Sequence, residues 1–262
     1  MQAVVVEQAN LFQETSEVWQ CPEIVYVRLV WVDLFMSVLL LTAGGVFLWS
    51  VDRGRGWQGK PYGPGGPEES ASLSGIVNCM TGVFYMCKAF DWVEQGKSPF
   101  SLNMYWYLDY SILCPLIILD LCCTLKVPHK LRYCVSTAVL LISGVVTFLA
   151  EGAFRWVYFL VGSAAFLPYA YLLVKHARKA NDRMPVAAQR DFRRSYVIFF
   201  AFWPIFPVLY LVSWEAWPGQ SWVICEEAYF ILHALLDIVC KTLFGVFMTR
   251  GRMYMEDYEI KL

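Results

Sequence analysis

The segment LLDIVCKTLFGVF, residues 235–247, is apolar enough to cross a bilayer and yet carries Asp237 and Lys241. Either charge at membrane depth costs about 2.5–3.5 kcal/mol on insertion scales, so each needs a partner or a use. Residues four apart share a helical face. His233, Asp237 and Lys241 therefore form one polar stripe, and Lys241 can pair with Asp237. Two chemistries fit. The pair can be a structural staple between helices, or Lys241 can be covalently modified. A buried amine is nucleophilic and condenses with an aldehyde to a Schiff base, which needs a carboxylate nearby once protonated. The segment YWYLDYSILCPLIILDLCC supplies further acids, Asp109 and Asp120, eleven residues apart. That spacing lies within about 20° of a whole number of turns and spans about 16 Å of helix. Both acids thus face one way at different depths, as in a proton or ion path.

A third stretch, FFAFWPIFPVLY, places Trp203, Phe206 and Tyr210 at helical spacing, with Pro204 and Pro207 to bend the helix and open space. Aromatic residues on a helix face are ordinarily packing. Beside a reactive lysine they suggest walls for a flat, conjugated, hydrophobic group.

The elements that must position these residues follow from composition. The 262 residues are 58% hydrophobic and 16% charged, with a mean hydropathy of +0.47, too apolar for a soluble domain of this size. A net charge of −1 gives no bulk attraction to nucleic acid, so no such partner is expected. A helix needs about 20 residues to cross about 30 Å of hydrocarbon. Seven runs qualify: 24–50, 72–94, 102–125, 130–150, 156–176, 193–214 and 225–248. The longest connection, DRGRGWQGKPYGPGGPEES, is rich in Gly and Pro and predicts a loop. The other breaks are short, so the expected fold is an all-α bundle of seven transmembrane helices in one unit, residues 24–250.

Charge sets the direction. LKVPHKLR holds Lys126, Lys130 and Arg132 without an acid, and KHARKANDRMPVAAQRDFRR is strongly basic, whereas the N-terminal segment and the loop with Glu215, Glu226 and Glu227 are acidic. Positive loops stay inside, so residues 1–23 are expected outside and residues 251–262 in the cytoplasm. Residues 1–23 also lack a basic region before an apolar core, so no cleavable signal is expected and the first helix targets the chain. Of the cysteines, Cys21 and Cys225 are the two that an oxidising exterior could reach. Arg28 is expected to snorkel at a membrane edge. Asp33 and Lys88 either line a pore or form a packing pair.

Seven spans, the DxxxK of the last and the Trp/Pro-rich sixth together resemble the microbial rhodopsins, from about residue 24 to 250. The strongest part is WYLDYSILCPLIILDL. The resemblance implies all-trans retinal carried covalently on Lys241, with Asp109 and Asp237 as counter-ions. Tyr110, Cys114, Pro115, Trp203, Phe206, Pro207 and Tyr210 would then line the chromophore. Asp120 falls where outward pumps keep their cytoplasmic proton donor. The family's outer arginine, however, is Trp106 here, and a pump threonine is Leu113. Cys114 matches the cysteine of the channelrhodopsin gating pair.

The stretches SLSGIVNCMTGVFYMCKAFD, PFSLNMYWYLDY and YFILHALLDIVCK are similar to the bacteriorhodopsin-like cation channelrhodopsins and, within them, the kalium channelrhodopsins. That resemblance implies a light-gated, potassium-preferring channel assembled as a homotrimer in the plasma membrane, in contact with lipid, passing potassium and other monovalent cations. It assigns Asp91, Asn103, Trp106, Tyr229, Phe230 and His233 to an extracellular constriction, with Phe230 replacing a tyrosine of some members. Asp120 and Arg252 form a cytoplasmic one. No TVGYG loop is present, so selectivity has to come from something other than rings of carbonyls. A narrow aromatic collar that strips water and offers weak ligands penalises sodium more than potassium. The alternatives are a light-driven outward proton pump and a retinal-free seven-helix receptor or scaffold. No P-loop, metal cluster or Ser/His/Asp arrangement points to an enzyme.

Overall fold

The computed structural model describes residues 23–58, 67–95, 99–125, 127–150, 152–181, 184–213, 224 and 226–259. Every regular element among them is helical: α1 (Glu23–Gln58), α2 (Pro67–Gln95), α3 (Pro99–Thr124), α4 (Lys130–Leu149), α5 (Ala153–Asn181), α6 (Val186–Phe202), α7 (Ile205–Val212), α8 (Glu226–Asp237), a π-helical stretch (Ile238–Leu243) and α9 (Phe244–Glu259). Among the described residues these make seven apolar spans long enough to cross a membrane, the sixth built from α6 and α7 and the seventh from α8, the π stretch and α9. Cys21 and Cys225 lie outside the described residues, as do most of residues 1–23. Cys79, Cys87, Cys114, Cys122, Cys123, Cys134 and Cys240 are free thiols.

Two differences from the sequence reading have local causes. The first long connection is shorter than DRGRGWQGKPYGPGGPEES, because α1 continues to Gln58 and α2 begins at Pro67. Proline is at home in a first turn, where its missing N–H would have no partner. The sixth span begins at Val186 rather than 193. Its first turns are amphipathic, burying Ala188, Asp191, Phe192 and Ser195, which a window of mean hydropathy does not register. The break between α6 and α7 falls at Trp203–Pro204, as a proline interrupts the backbone ladder. Pro115 and Pro168 stay inside α3 and α5.

Apolar side chains such as Phe35, Leu160, Leu167 and Val197 are exposed on the outside of the bundle, the surface that lipid covers. The interior holds three apolar groups, the smallest of them Met36, Leu40, Tyr85 and Ala234. Leu113, Ile117, Leu121, Phe199, Phe244 and Met248 fill one end. Trp106, Tyr110, Cys114, Leu209, Tyr229 and Phe230 fill the other.

Close approach of α1 to α2 sets the register between them. A Cβ on Gly82 would come within 3.0 Å of the Leu41 backbone nitrogen and 3.1 Å of the Ser37 carbonyl oxygen. Small residues at such crossings let helices in a membrane touch backbone to backbone. The same antiparallel register carries Asp33 of α1 up to Lys88 of α2.

Candidate functional site

Two parallel helices, α3 and the seventh span, each carry charges eleven residues apart, Asp109 and Asp120 facing Lys241 and Arg252. Because the spacings match, the structure shows two rungs. In the first, Lys241 Nζ donates to Asp109 Oδ2 and makes an ion pair with Asp237 Oδ1 at 2.9 Å. In the second, Arg252 Nη2 lies 2.6 Å from Asp120 Oδ1.

Around the first rung every group is buried, and the carboxylates draw on neutral donors. The Tyr85 hydroxyl donates to Asp237 Oδ2 at 2.8 Å and the Tyr110 hydroxyl to the same oxygen at 3.4 Å. Thr81 donates to Asp109 Oδ1 at 3.0 Å. Charges removed from water persist only when paired and hydrogen-bonded in this way. Lys241 belongs to the π stretch, where the Phe244 N–H reaches back to the Val239 carbonyl, an i→i+5 bond. This wider turn is one of the local departures that recur at functional sites.

Toward the α8 side lies an aromatic layer. Trp106 is 4% exposed and stacks on His233 at 4.4 Å between centroids. It also meets Phe230 at 5.0 Å and Tyr229 at 5.9 Å. Of the six residues expected at one constriction, Trp106 thus touches Tyr229, Phe230 and His233. Asp91 is half-buried on α2, and Asn103 lies on α3 with its side chain outside the described set. Lys88 enters this layer from α2, its Nζ 3.9 Å from the Trp106 ring centroid and 4.3 Å from that of Phe230. Asp33 Oδ1 lies 3.2 Å away.

At the opposite end, Arg252 ties three helices together. Its Nε donates to Thr124 Oγ1 at 2.7 Å and its Nη2 to the Asp120 carbonyl oxygen at 3.1 Å. Nη1 lies 3.5 Å from Glu69 Oε2. Ser70 donates to Asp120 Oδ2 at 2.8 Å. A small pocket between the two rungs is lined by Ser74, Val77, Ile117, Asp120, Lys241 and Phe244.

The other expected wall residues are spread along this core. Phe206 meets Tyr110 at 5.1 Å, Tyr210 stacks on Phe159 at 5.9 Å, and Trp203 packs on Phe199 at 4.3 Å. Cys114 is buried beside Tyr110, Pro115 is half-buried, and Pro207 is exposed on α7.

Sequence reasoning missed the buried polar side chains on α2: Ser70, Ser74, Asn78, Thr81 and Tyr85. Their spacing, continued to Lys88, runs in steps of three and four, one polar stripe on an otherwise apolar helix. That stripe meets the seventh span in antiparallel register. Tyr85 reaches Asp237, and the Thr242 hydroxyl donates to Asn78 Oδ1 at 2.5 Å.

The family model for bacteriorhodopsin-like proteins matches residues 29–255. The chain belongs to the bacteriorhodopsin-like family. Retinal, held covalently on a lysine as a Schiff base, is the cofactor of that family, and this rhodopsin is an integral, multi-pass membrane protein. It is 24% identical to opsin-like protein carO of Fusarium fujikuroi over 60% of this chain and 50% of that one. It is 25% identical to archaerhodopsin-2 of Halobacterium sp. over 60% and 61%. The rhodopsin therefore spans only about half to three fifths of the length of these curated relatives. Among solved structures, xanthorhodopsin, described as a light-driven ion pump with dual chromophore, aligns with a TM-score of 0.74 at 15% identity, over 90% of this chain and 96% of that one. The red light-activated channelrhodopsin Chrimson aligns at 0.68 and 18% identity, over 92% and 82%. These likenesses establish the fold. The site suits the cofactor on its own terms: a buried amine between two carboxylates, 4.7 Å from the Tyr110 ring centroid.

Proposed function

We propose that this rhodopsin is a light-gated cation channel, passive and potassium-preferring, with retinal on Lys241 and a path running along the row of charges between Trp106 and Asp120. When bound, retinal supplies light absorption and a change of shape at the lysine. The chain's own residues do the rest. Asp109 and Asp237 hold the positive charge at Lys241, with Tyr85, Tyr110 and Thr81 fixing where those carboxylates point. Trp106, Tyr229, Phe230 and His233 narrow one end of the path, and Asp120 with Arg252 closes the other. On this reading the N-terminus is outside, and the aromatic end is the extracellular one. The partners are plasma-membrane lipid, potassium and other monovalent cations, and further copies of the chain in a trimer.

The observation that carries this reading is Trp106. A buried indole, stacked on His233 and tilted against Phe230, stands where the resemblance leads one to expect a pump's arginine. An aromatic collar gives an ion weak ligands, so the ion with the lower dehydration cost, potassium, is favoured over sodium. The second reading, an outward proton pump, draws on Asp109 and Asp120 lying on one row. Against it, Asp120 is engaged by Arg252 and Ser70.

Whole-cell voltage clamp with retinal supplied, potassium inside and sodium outside, separates the two. The channel reading expects a photocurrent that reverses well negative of zero, and a Trp106→Ala variant whose reversal moves several-fold in relative permeability toward sodium. A photocurrent outward at every voltage would return the assignment to a pump. An unchanged reversal in Trp106→Ala would remove the collar from selectivity.

A further inference from the structure

We propose that the Lys88 ammonium is a tethered cation: in the resting bundle it fills the aromatic box where a permeating ion would rest, and conduction requires it to withdraw. The inference rests on the channel reading above and assigns that path an internal plug.

Lys88 is 1% exposed. Its Nζ stands over the faces of Trp106 at 3.9 Å, Phe230 at 4.3 Å and Tyr85 at 5.5 Å, with a carboxylate oxygen of Asp33 at 3.2 Å. Ring faces carry negative potential and attract any cation set above them. The box is thus a cation site, occupied by the protein's own amine. A second observation points the same way. His233 is 5% exposed and forms part of the same box through its stacking on Trp106 at 4.4 Å. Neither of its ring nitrogens has a hydrogen-bond partner among the described residues. A buried polar group in that condition is uncommon and calls for an explanation. A neutral imidazole offers one lone pair, an acceptor for a cation that enters when Lys88 leaves.

Formal charge agrees. Asp33, Asp109 and Asp237 stand against Lys88 and Lys241 in this half of the core. With the Lys88 amine withdrawn, the excess of carboxylate among these groups rises from one to two, and one monovalent cation restores the resting balance. The identity of the plug also bears on the ion. Ammonium and potassium have nearly the same ionic radius, so a box fitted to one fits the other, while dehydrated sodium is too small to touch all its walls. Lysine suits the part, because its ammonium is compact and its stem flexible, whereas a guanidinium would stack flat on Trp106 and bridge to Asp33.

The test uses pigment with retinal bound. The variant Lys88→Ala empties the box and leaves Asp33 to face whichever cation enters. Purified in detergent and titrated in the dark at constant ionic strength, it should show a saturable shift of the absorption maximum with potassium and ammonium ions and a much weaker one with sodium. The wild type should show none. No shift in the variant, or the same shift in both proteins, overturns the proposal. Should Lys88→Ala form no coloured pigment, Lys88→Arg decides. With colour retained, its photocurrent should fall at least tenfold because the guanidinium does not leave, and an undiminished current overturns the plug. A wild-type photocurrent that fails to reverse with voltage would instead reject the channel reading on which the plug depends.

Discussion

At the scale of single residues, what separates this core from an apolar one is that two lysines are buried in it and their surroundings differ. Lys241 faces two carboxylates, Asp109 and Asp237, with hydroxyls from α2 and α3 behind them. Lys88 faces, among the described residues, the Asp33 carboxylate and a set of ring faces. A Schiff base that is to be protonated needs the first environment. A cation that is to be exchanged suits the second. Lys241→Ala should therefore give a protein that stays colourless when retinal is added, while Lys88→Met remains coloured; absorption spectra of the two purified proteins check this. Colour in Lys241→Ala would move the attachment to another lysine. The Asp237–Lys241 pair, the shared face of Asp109 and Asp120, and the grouping of Trp106 with Phe230 and His233 could all be read from the chain. Each depends only on local spacing or on a motif of this family.

At the scale of elements, the site is a product of register. Gly82 lets α1 lie against α2 so that Asp33 comes level with Lys88, and the α2 stripe then meets Asp237, Asn78 pairing with Thr242 one step further on. In Gly82→Val the new side chain would press on the Leu41 nitrogen and the Ser37 carbonyl, backbone atoms that cannot turn aside. Overpacking of this kind costs about 1–3 kcal/mol, and here it also parts Asp33 from Lys88. The temperature at which the pigment loses colour should fall in Gly82→Val and hold in Gly45→Val, since a Cβ at Gly45 meets nothing within 4 Å. An equal fall in both would trace the effect to helix propensity alone. Register is also where reading the sequence stopped short. The stripe of Ser70, Ser74, Asn78, Thr81, Tyr85 and Lys88 was visible as a pattern, but each member is mild enough to pass as a span residue, and only the neighbouring helices show what it touches. The π stretch left no mark at all, because nothing in IVCKTL forbids an ordinary α-helix. In the fold it packs on α1, α2 and α6.

At the scale of the whole molecule, the channel reading proposed above gives the path two closures in series. One is the Lys88–Trp106–Phe230 layer, the other the Arg252 knot with Asp120, Thr124 and Glu69. They stand on opposite sides of Lys241, and the matched spacing of α3 and the seventh span couples each to that residue: a displacement at Lys241 bears on both rungs, since one pair of parallel helices carries them. Closures in series have a distinctive consequence. With either one shut the path does not conduct, so removing a single closure leaves the dark current where it was. Arg252→Gln, which removes the guanidinium from Asp120, should thus change how fast photocurrent rises and decays while the dark conductance stays at the wild-type level, and Lys88→Met should do likewise. Their combination should leak potassium in the dark, far more than the two single variants added together, the kind of non-additivity expected of residues acting on one event. Dark current under voltage clamp in the four proteins, scaled to pigment at the cell surface, measures it. A dark leak in Arg252→Gln alone would mean that the Trp106 end is already open at rest. A tight double variant would mean that the barrier lies elsewhere, in the apolar stretch of Val77, Leu113 and Ile117 between the rungs.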